Sequence, residues 1–270
     1  VNKKLLWINK MCKKKLIICF HPYSYLGGAT ISLSQLLNGM DKNFFEIVYL
    51  YIKKDKNLDL NKNIKIIKIN SSRTLFSIVQ VRKILSKYNN KNFIKKIYIS
   101  NQNYSNIFTP FVLKNFKNFK SVLIERNHLD ELYYYESIKD FLKKNIIKYF
   151  MRVNYSKASL IIGNAKELSK DLSAFVNKKI KTIYSPTNSS KIIKLSKSYI
   201  PSIIKRDSSR IRLLSVSRFT KRKDVLTLLE AFSSLSNKYK NVDLILIGYG
   251  PELNNINKFV KDNKLSNRVF

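Results

Sequence analysis

Several features that would identify a protein class are scarce in this sequence of 270 residues. Its two cysteines, Cys12 and Cys19, are too few for a disulfide scaffold or a four-cysteine zinc site. No apolar run approaches the roughly 20 residues that cross a bilayer. The run Leu16–Phe20 is also shorter than the apolar region of a signal peptide. The G-x-G-x-x-G fingerprint, compact arginine-rich tracts and zinc-finger spacings are absent, so no familiar dinucleotide or nucleic-acid motif is present.

Acidic residues are scarce too. Lysine and arginine number 52 against 17 aspartates and glutamates, which gives a net charge of +35 and an isoelectric point near 10.1. Such a charge attracts nucleic acid, anionic lipid or phosphorylated substrates. The excess is mostly lysine spread along the chain beside asparagine and isoleucine, so the coding bias of an A+T-rich genome stays open as an alternative cause. An apolar fraction of 44% excludes a disordered or collagen-like chain.

The hydrophobic pattern alternates between two periods. Short apolar runs rich in isoleucine and valine predict strands, and runs with apolar residues three and four apart predict helices. Strands that alternate with helices indicate βαβ units and mostly parallel sheets. The predicted strands are 16–20, 45–52, 64–69, 96–100, 121–124, 160–163, 180–184, 211–216 and 242–247; the predicted helices are 31–40, 76–88, 106–116, 137–155, 166–175, 225–235 and 252–263.

The alternation is interrupted once, which predicts two domains. Residues 11–186 form the first, and residues 187–210, which show no period, form the linker. Residues 211–270 begin the second. Residues 1–10 are interpreted as an extension or upstream sequence, because Met11 is followed by the first predicted strand. The chain stops where another strand would begin, so we expect the second domain to be truncated.

Basic residues follow one strand of the second domain. The loop 217–224 lies between a strand and a helix, and it includes Arg218 and Lys223. Ligands of open α/β sheets bind outside the carboxyl ends of the strands. A guanidinium can hold two phosphate oxygens at once, and a lysine acts as a point charge. The loop therefore suits an anion, although a solvated basic loop is the alternative.

Two glycine turns occupy equivalent places after strands. Gly27 and Gly28 precede the first helix, where backbone N–H groups favour a phosphate and glycine permits close approach. Gly248 and Gly250 precede the last helix, with Pro251 suited to a first helical turn. Tight structural turns explain both pairs equally well.

The segment 213–270 resembles the start of the C-terminal domain of GT-B glycosyltransferases of family four. The Gly-Gly-Ala turn at Gly27 matches that family, and the sequence from Glu125 to Asn127 resembles a segment of its polysaccharide-building members. Altogether the resemblance covers residues 14–270. It implies an α/β fold of two Rossmann-like domains facing across a cleft, the second incomplete here.

The resemblance also implies a reaction. Such enzymes move a sugar from a nucleotide-sugar, most commonly a UDP-sugar, to a glycan or lipid-linked acceptor with retained anomeric configuration. The members that it resembles build surface polysaccharide or lipopolysaccharide. No Asp-x-Asp motif is present, so the resemblance implies no metal and no cofactor besides the nucleotide-sugar co-substrate.

The resemblance assigns donor-side residues. Arg218 and Lys223 match the cations that hold the donor diphosphate, and the turn Gly27–Gly28 lies close to the same phosphates. Departures from the family are Ser217 and Asp224, which stand where many members have glycine. An Asp beside Lys223 would neutralise part of its charge.

Gly248 and Gly250 match a turn near the nucleoside. The family's Glu-x7-Glu segment, which holds the donor sugar and ribose, would lie beyond Phe270.

Acceptor-side residues follow the strand 121–124. Glu125 is a candidate for orienting acceptor hydroxyls, and Arg126 is a candidate for holding an acceptor phosphate. Asn127 is a further candidate for contact with the acceptor. His128 is the candidate catalytic residue, with a partly exposed loop histidine as the alternative.

The predicted helix 137–155 mixes apolar and basic residues. It is interpreted either as a helix that lies on an anionic membrane or as one packed on the sheet. The expected location is the cytoplasm, including a peripheral position on the inner face of the plasma membrane; no specific nucleic acid partner is expected. Two other functions stay open: a non-catalytic remnant that binds polyanions or membranes, and a GT-B sugar-nucleotide epimerase.

Overall fold

The computed structural model describes residues 14–135, 137–187, 189–198 and 209–270. The predicted extension 1–10 and part of the predicted linker lie outside these ranges. The described chain divides into two compact units, one up to Ser189 and the other from Ser190, and each has its own core.

A parallel sheet forms the centre of the first unit. Seven strands are ordered β5-β3-β1-β6-β7-β8-β9, every neighbouring pair is parallel, and β2 pairs separately with β4. The predicted strands of this unit are all present. Their bounds are β1 Lys15–Phe20, β2 Tyr23–Ser24, β3 Phe45–Tyr51, β4 Lys53–Lys54, β5 Lys65–Lys68, β6 Lys96–Asn101, β7 Phe119–Glu125, β8 Leu160–Gly163 and β9 Lys181–Thr182.

Helices cover both faces of this sheet. Successive side chains of β1 belong to different core clusters: Ile18 packs with Val81 of α2, and Cys19 packs with Leu33 of α1. Because side chains alternate across a strand, the two helices lie on opposite faces. A strand covered on both sides must be apolar throughout, which explains the run Leu16–Phe20. The helices are α1 Gly28–Asn38, α2 Ile78–Asn89, α3 Asn103–Leu113, α4 Ile138–Tyr155 and α5 Lys166–Val176, with 3₁₀ turns at Leu75–Ser77 and Leu129–Leu132.

Two helices differ from the sequence pattern. Helix α3 was expected over 106–116 and runs over Asn103–Leu113. It ends early because the backbone leaves the helical region at Lys114, with ψ 123°, and Asn115 then takes a left-handed φ of 72°, which an α-helix cannot continue. Helix α6, Ser189–Ser196, lies in the segment 187–210, for which no element was expected.

The second unit is a smaller α/β layer. Strands β10 (Ile211–Val216) and β11 (Val242–Ile247) are parallel, and Val269 forms a further parallel bridge to Leu244. Helix α7 (Val225–Lys238) contributes Leu229 and Phe232 to the core, and α8 (Leu253–Asp262) contributes Ile256. A 3₁₀ turn covers Lys221–Lys223. In the described ranges, no helix is long and apolar enough to span a bilayer.

Candidate functional site

The strand order of the first unit creates a crevice at one edge of the sheet. Strand β1 has β3 on one side and β6 on the other, so the chain winds outwards in both directions from β1. Ligands of such sheets bind at this reversal, outside the carboxyl ends of the strands. His21 follows β1 and Asn101 ends β6, so both lie at the reversal.

His21 joins three elements at this edge. Its Nδ1 lies 2.8 Å from the backbone oxygen of Asn101, and its Nε2 lies 2.9 Å from Oγ1 of Thr30 in α1. The side chain is fully buried. Burial, with a smaller contribution from the nearby charge of Arg126, lowers the pKa of His21 to about 4 against the opposing effect of the hydrogen bond to Asn101. The imidazole is therefore neutral at pH 7 and ties the start of α1 to β6.

Arg126 is held beside that pair. Its Nε donates to Oδ1 of Asn101 at 2.9 Å, and its Nη1 donates to Oγ of Ser185 at 3.0 Å. Its Nη2 donates no hydrogen bond to any residue that the structure describes. A guanidinium stays protonated in proteins. The arrangement therefore presents one positive charge, with donors still free, at the carboxyl edge of the sheet.

Glu125 supports the loop that carries Arg126. Its Oε1 accepts from the backbone N–H groups of Arg126 and Asn127 at 3.0 and 3.3 Å. Its Oε2 accepts from the Tyr155 hydroxyl at 2.6 Å and from Asn106 at 3.4 Å. Burial raises the pKa of Glu125, and these hydrogen bonds oppose the rise. Both oxygens are occupied, so this arrangement differs from the expectation that Glu125 orients acceptor hydroxyls: it positions the loop.

The turn Gly27–Gly28 leaves the start of α1 open. Gly27 is the N-cap residue with an extended backbone, no side chain caps the helix, and no acid lies in its first turn. A Cβ added at either glycine would meet nothing within 4 Å. Neither local packing nor a left-handed backbone therefore requires glycine here. The first N–H groups of a helix have no partner within the helix, so this start suits the close approach of an anion.

His128 is engaged by two carboxylates. Its Nδ1 lies 3.0 Å from Asp130, and its Nε2 lies 3.1 Å from Asp171 of α5. It also caps the 3₁₀ turn Leu129–Leu132. A reacting group would have to displace one of these carboxylates, so its catalytic role stays a prediction without support from this geometry.

A cavity of about 200 Å³ adjoins His128, between the loop after β7 and helices α3 and α4. Asn127 also lines it, together with Asp140 and Lys143. The lining combines these polar groups with apolar side chains such as Leu132 and Ile147, so the cavity offers both hydrogen-bonding and apolar contacts to a ligand. Of the predicted acceptor-side residues, Asn127 therefore faces this cavity, whereas Arg126 contacts the His21–Asn101 pair.

In the second unit, Arg218 and Lys223 are exposed on the loop after β10. Neither side chain forms a hydrogen bond or ion pair with any residue in the described ranges. Unpaired cations at the carboxyl end of a strand attract an anionic ligand.

Asp224 does not neutralise Lys223 by an ion pair. Its Oδ2 accepts a 2.9 Å hydrogen bond from Oγ1 of Thr227. Asp224 also has a left-handed backbone with φ 45° and ψ 51°. Glycine adopts this conformation without strain, and aspartate is among the few residues that tolerate it. The backbone thus explains why the resembling family has glycine at this position.

The two glycines after β11 are required by packing. A Cβ on Gly248 would lie 1.9 Å from the backbone oxygen of Ser217, and one on Gly250 would lie 2.2 Å from that of Phe219. Phe219 N–H donates to the oxygen of Tyr249 at 2.8 Å, which holds this turn against the segment after β10. Their nucleoside role stays a prediction, since packing accounts for both glycines.

Residues distant in sequence complete the site; of these, Asn101 and Thr30 were not selected by sequence reasoning, whereas Ser185 follows a predicted strand and was a candidate by its position. Asn101, Thr30 and Ser185 contact His21 or Arg126. The signal for Asn101 was its place at the carboxyl end of a predicted strand. In the described ranges, no group of three or more histidine, cysteine or acidic side chains is placed to hold a metal ion.

Comparison with known protein families matches residues 196–270 to the family described as "Glycosyl transferases group 1". The match includes Arg218, Lys223 and the glycine turn after β11. No curated protein sequence matches the chain.

Solved structures share the fold across the whole chain. Anabaena HepE, in complex with UDP and glucose, has 14% identity and a TM-score of 0.63, over 94% of this chain and 67% of its own. Sucrose-phosphate synthase from Thermosynechococcus elongatus has 16% identity and a TM-score of 0.69, over 95% and 70%. WaaG, a glycosyltransferase of lipopolysaccharide biosynthesis, has 13% identity and a TM-score of 0.63, over 94% and 69%. The α/β fold is that of GT-B glycosyltransferase structures, which confirms the predicted fold class.

Proposed function

We propose that this chain is a retaining glycosyltransferase. It transfers a sugar from a UDP-sugar to a glycan or lipid-linked acceptor in surface polysaccharide or lipopolysaccharide biosynthesis. One observation carries the proposal: Arg218 and Lys223 are exposed, unpaired cations after a parallel strand, within the segment that matches group 1 glycosyltransferases. The UDP bound to Anabaena HepE supports the choice of nucleotide.

Arg218 and Lys223 have a direct chemical role in this proposal. The leaving nucleoside diphosphate gains negative charge as its bond to the sugar breaks. Arg218 binds two phosphate oxygens and Lys223 adds a point charge, so both stabilise the charge that develops. These cations supply the positive charge, and the proposal includes no metal and no cofactor.

The acceptor is assigned to the first unit. Arg126 keeps free donors for an acceptor phosphate, and Asn127 lines a cavity of about 200 Å³ that has both polar and apolar walls. Gly27 and Gly28 stay assigned to the donor phosphates, for which the start of α1 offers backbone N–H donors. The proposal places the reaction in the cytoplasm, at the inner face of the membrane, where the charge of +35 favours anionic lipid.

Titration with UDP tests the donor role. Arg218→Ala and Lys223→Ala should each weaken UDP binding by about 1–3 kcal/mol, because a charge-assisted hydrogen bond is lost. Lys221→Ala is the matched control: it removes another exposed cation of the same loop and should leave binding almost unchanged. Equal affinity in all four proteins would overturn the assignment.

Product analysis separates the alternatives. Transfer with retention gives a glycoside of the donor's anomeric configuration, detected by NMR after incubation with UDP-sugars and extracted acceptors. An epimerase would instead change the UDP-sugar itself without acceptor. Incubation with UDP-sugars alone is therefore part of the same experiment. A non-catalytic polyanion binder would bind heparin and UDP-sugars alike and convert neither.

A further inference from the structure

Helix α4 has apolar side chains on two opposite faces. Ile147, Met151 and Tyr155 belong to the buried core. A second set recurs every three or four residues and is exposed to solvent. At 100° per residue, this set is centred on the side of the helix opposite to the buried one. We call it the exposed stripe; its members are Ile138, Leu142, Ile146, Tyr149 and Val153.

The exposed stripe is extensive. The exposed fractions of its members range from 37% for Val153 to 80% for Ile138. From first to last residue, it runs about 22 Å along the helix. Isolated apolar residues on a surface are ordinary, but a continuous row indicates a contact surface. The core does not account for the row, because other residues of α4 fill the core.

Positive charges border the exposed stripe on both sides. By the same helical geometry, Lys139 and Lys143 lie along one edge, and Lys148 and Arg152 lie along the other. Three of these cations also contact aromatic rings: Lys143 that of Tyr104, Lys148 that of Tyr133 and Arg152 that of Phe175. The one acid of α4, Asp140, lies on the buried side and pairs with Lys144 at 2.7 Å. An apolar strip between two rows of cations is the pattern of a helix that lies in a bilayer surface, with its apolar face at the acyl boundary and its cations on lipid phosphates.

Exposed tyrosines extend this surface. Tyr133, Tyr134 and Tyr135 precede α4, and Lys148 Nζ lies 4.3 Å from the centre of the Tyr133 ring. Tyrosine has an apolar ring and a polar hydroxyl, which suits the level of the lipid headgroups.

We propose that the exposed stripe of α4 docks this protein on a bilayer that contains anionic lipid, with the helix axis parallel to the membrane. The chain carries a net charge of +35, so a second copy is a poor occupant: docking two stripes would bring their cation rows together. A nucleic acid would neutralise the cations but leave the apolar row uncovered. The proposal extends the location given under the proposed function and does not depend on sugar transfer.

Vesicle flotation tests the proposal without donor or acceptor. The probes are vesicles of phosphatidylcholine alone and vesicles that also contain phosphatidylglycerol. The double variant Leu142→Glu/Ile146→Glu should reduce binding to anionic vesicles at least about tenfold, because two apolar groups are lost and two negative charges face the lipid. Lys139→Gln/Arg152→Gln should reduce it about fivefold for each charge removed.

Matched controls keep the test decisive. Val79→Glu introduces the same kind of change at an exposed position of α2 and should leave vesicle binding unchanged. Circular dichroism shows whether the two glutamates unfold the helix. If they do, the milder double variant Leu142→Ser/Ile146→Ser takes their place in the test. Heparin retention measures charge alone and should be similar in Leu142→Ser/Ile146→Ser and the parent.

Three outcomes would overturn the proposal. In the first, the parent protein does not bind anionic vesicles. In the second, the stripe variants bind these vesicles as the parent does. In the third, the stripe variants abolish self-association of the protein while vesicle binding persists. None of these outcomes changes the UDP titration, so the proposed membrane surface and the proposed donor site are tested independently of each other.

Discussion

Nε of Arg126 donates a 2.9 Å hydrogen bond to Oδ1 of Asn101. This single contact links the ends of β6 and β7, and through Asn101 it reaches His21 and the first helix. Because Oδ1 faces Arg126, the amide nitrogen of Asn101 faces His21, at 3.0 Å from Nδ1. Arg126 at the sheet edge is thus positioned by Asn101, 25 residues earlier in the chain, and through Asn101 by His21, 105 residues earlier.

Truncation of Asn101 should destabilise the protein. Asn101→Ala removes the acceptor of Arg126 and the amide beside His21, and we expect the free energy of unfolding to fall by about 1–3 kcal/mol, because buried polar groups lose partners. Urea denaturation measures the change. Asn63→Ala, at an exposed asparagine, serves as control and should change stability by less than about 0.5 kcal/mol. Equal values for the two variants would contradict the linking role of Asn101.

Stability should depend on pH through His21. Its folded pKa is about 4, against 6.5 for the unfolded chain, so the unfolded state binds the proton more readily. The contribution of neutral His21 to the free energy of unfolding is therefore fully present above pH 6.5. It decreases as the pH falls towards 4, by roughly 3 kcal/mol in total. The measurement is the difference between the urea stability of the parent and of His21→Gln at several pH values. A difference that stays constant across this window would contradict the buried neutral state.

The glycine turns should respond oppositely to alanine. Gly248→Ala should cost roughly 3 kcal/mol or more, because its Cβ would lie 1.9 Å from the Ser217 oxygen. Gly27→Ala should change stability by less than about 1 kcal/mol, since its Cβ meets nothing within 4 Å. Thermal melts measure both. If Gly27 faces a bound phosphate, the same variant should weaken UDP binding despite its intact fold.

The left-handed residue before α7 offers a paired substitution. Asp224→Ala and Asp224→Gly both lose the hydrogen bond to Thr227, so their difference reports the backbone alone. At φ 45°, alanine should be less stable than glycine by about 1 kcal/mol. Chemical denaturation of the two variants checks this value. An alanine variant as stable as the glycine variant would show that the turn relaxes to another conformation.

Local sequence patterns predicted most of the elements. The run Leu16–Phe20 has no polar residue and predicted a strand, which the structure confirms as part of β1 and buries on both faces. Helix α5 was placed almost to the residue by its apolar spacing. The pattern failed at α3, where Lys114 and Asn115 leave the helical backbone and end the helix early, because the backbone conformation of single residues is not visible in a hydrophobic period.

For the candidate site, sequence reasoning selected Arg126, Arg218 and Lys223 from their residue types after predicted strands. It assigned Glu125 to an acceptor, but the structure surrounds that carboxylate with four donors from the protein. Exposure and partners depend on neighbours from other elements, so a residue's type and position could not reveal them.

The sequence by itself determined the alternation of strands and helices, the excess of positive charge and the cations after β10, because periodicity, composition and order are local properties of a chain. Only the tertiary structure decided that Asn101 and Ser185 hold Arg126, that Gly248 is required by packing while Gly27 is not, and that one apolar face of α4 is left exposed. These facts depend on contacts between residues far apart in sequence. Such contacts exist only once parallel strands have brought their ends to the same edge of the sheet.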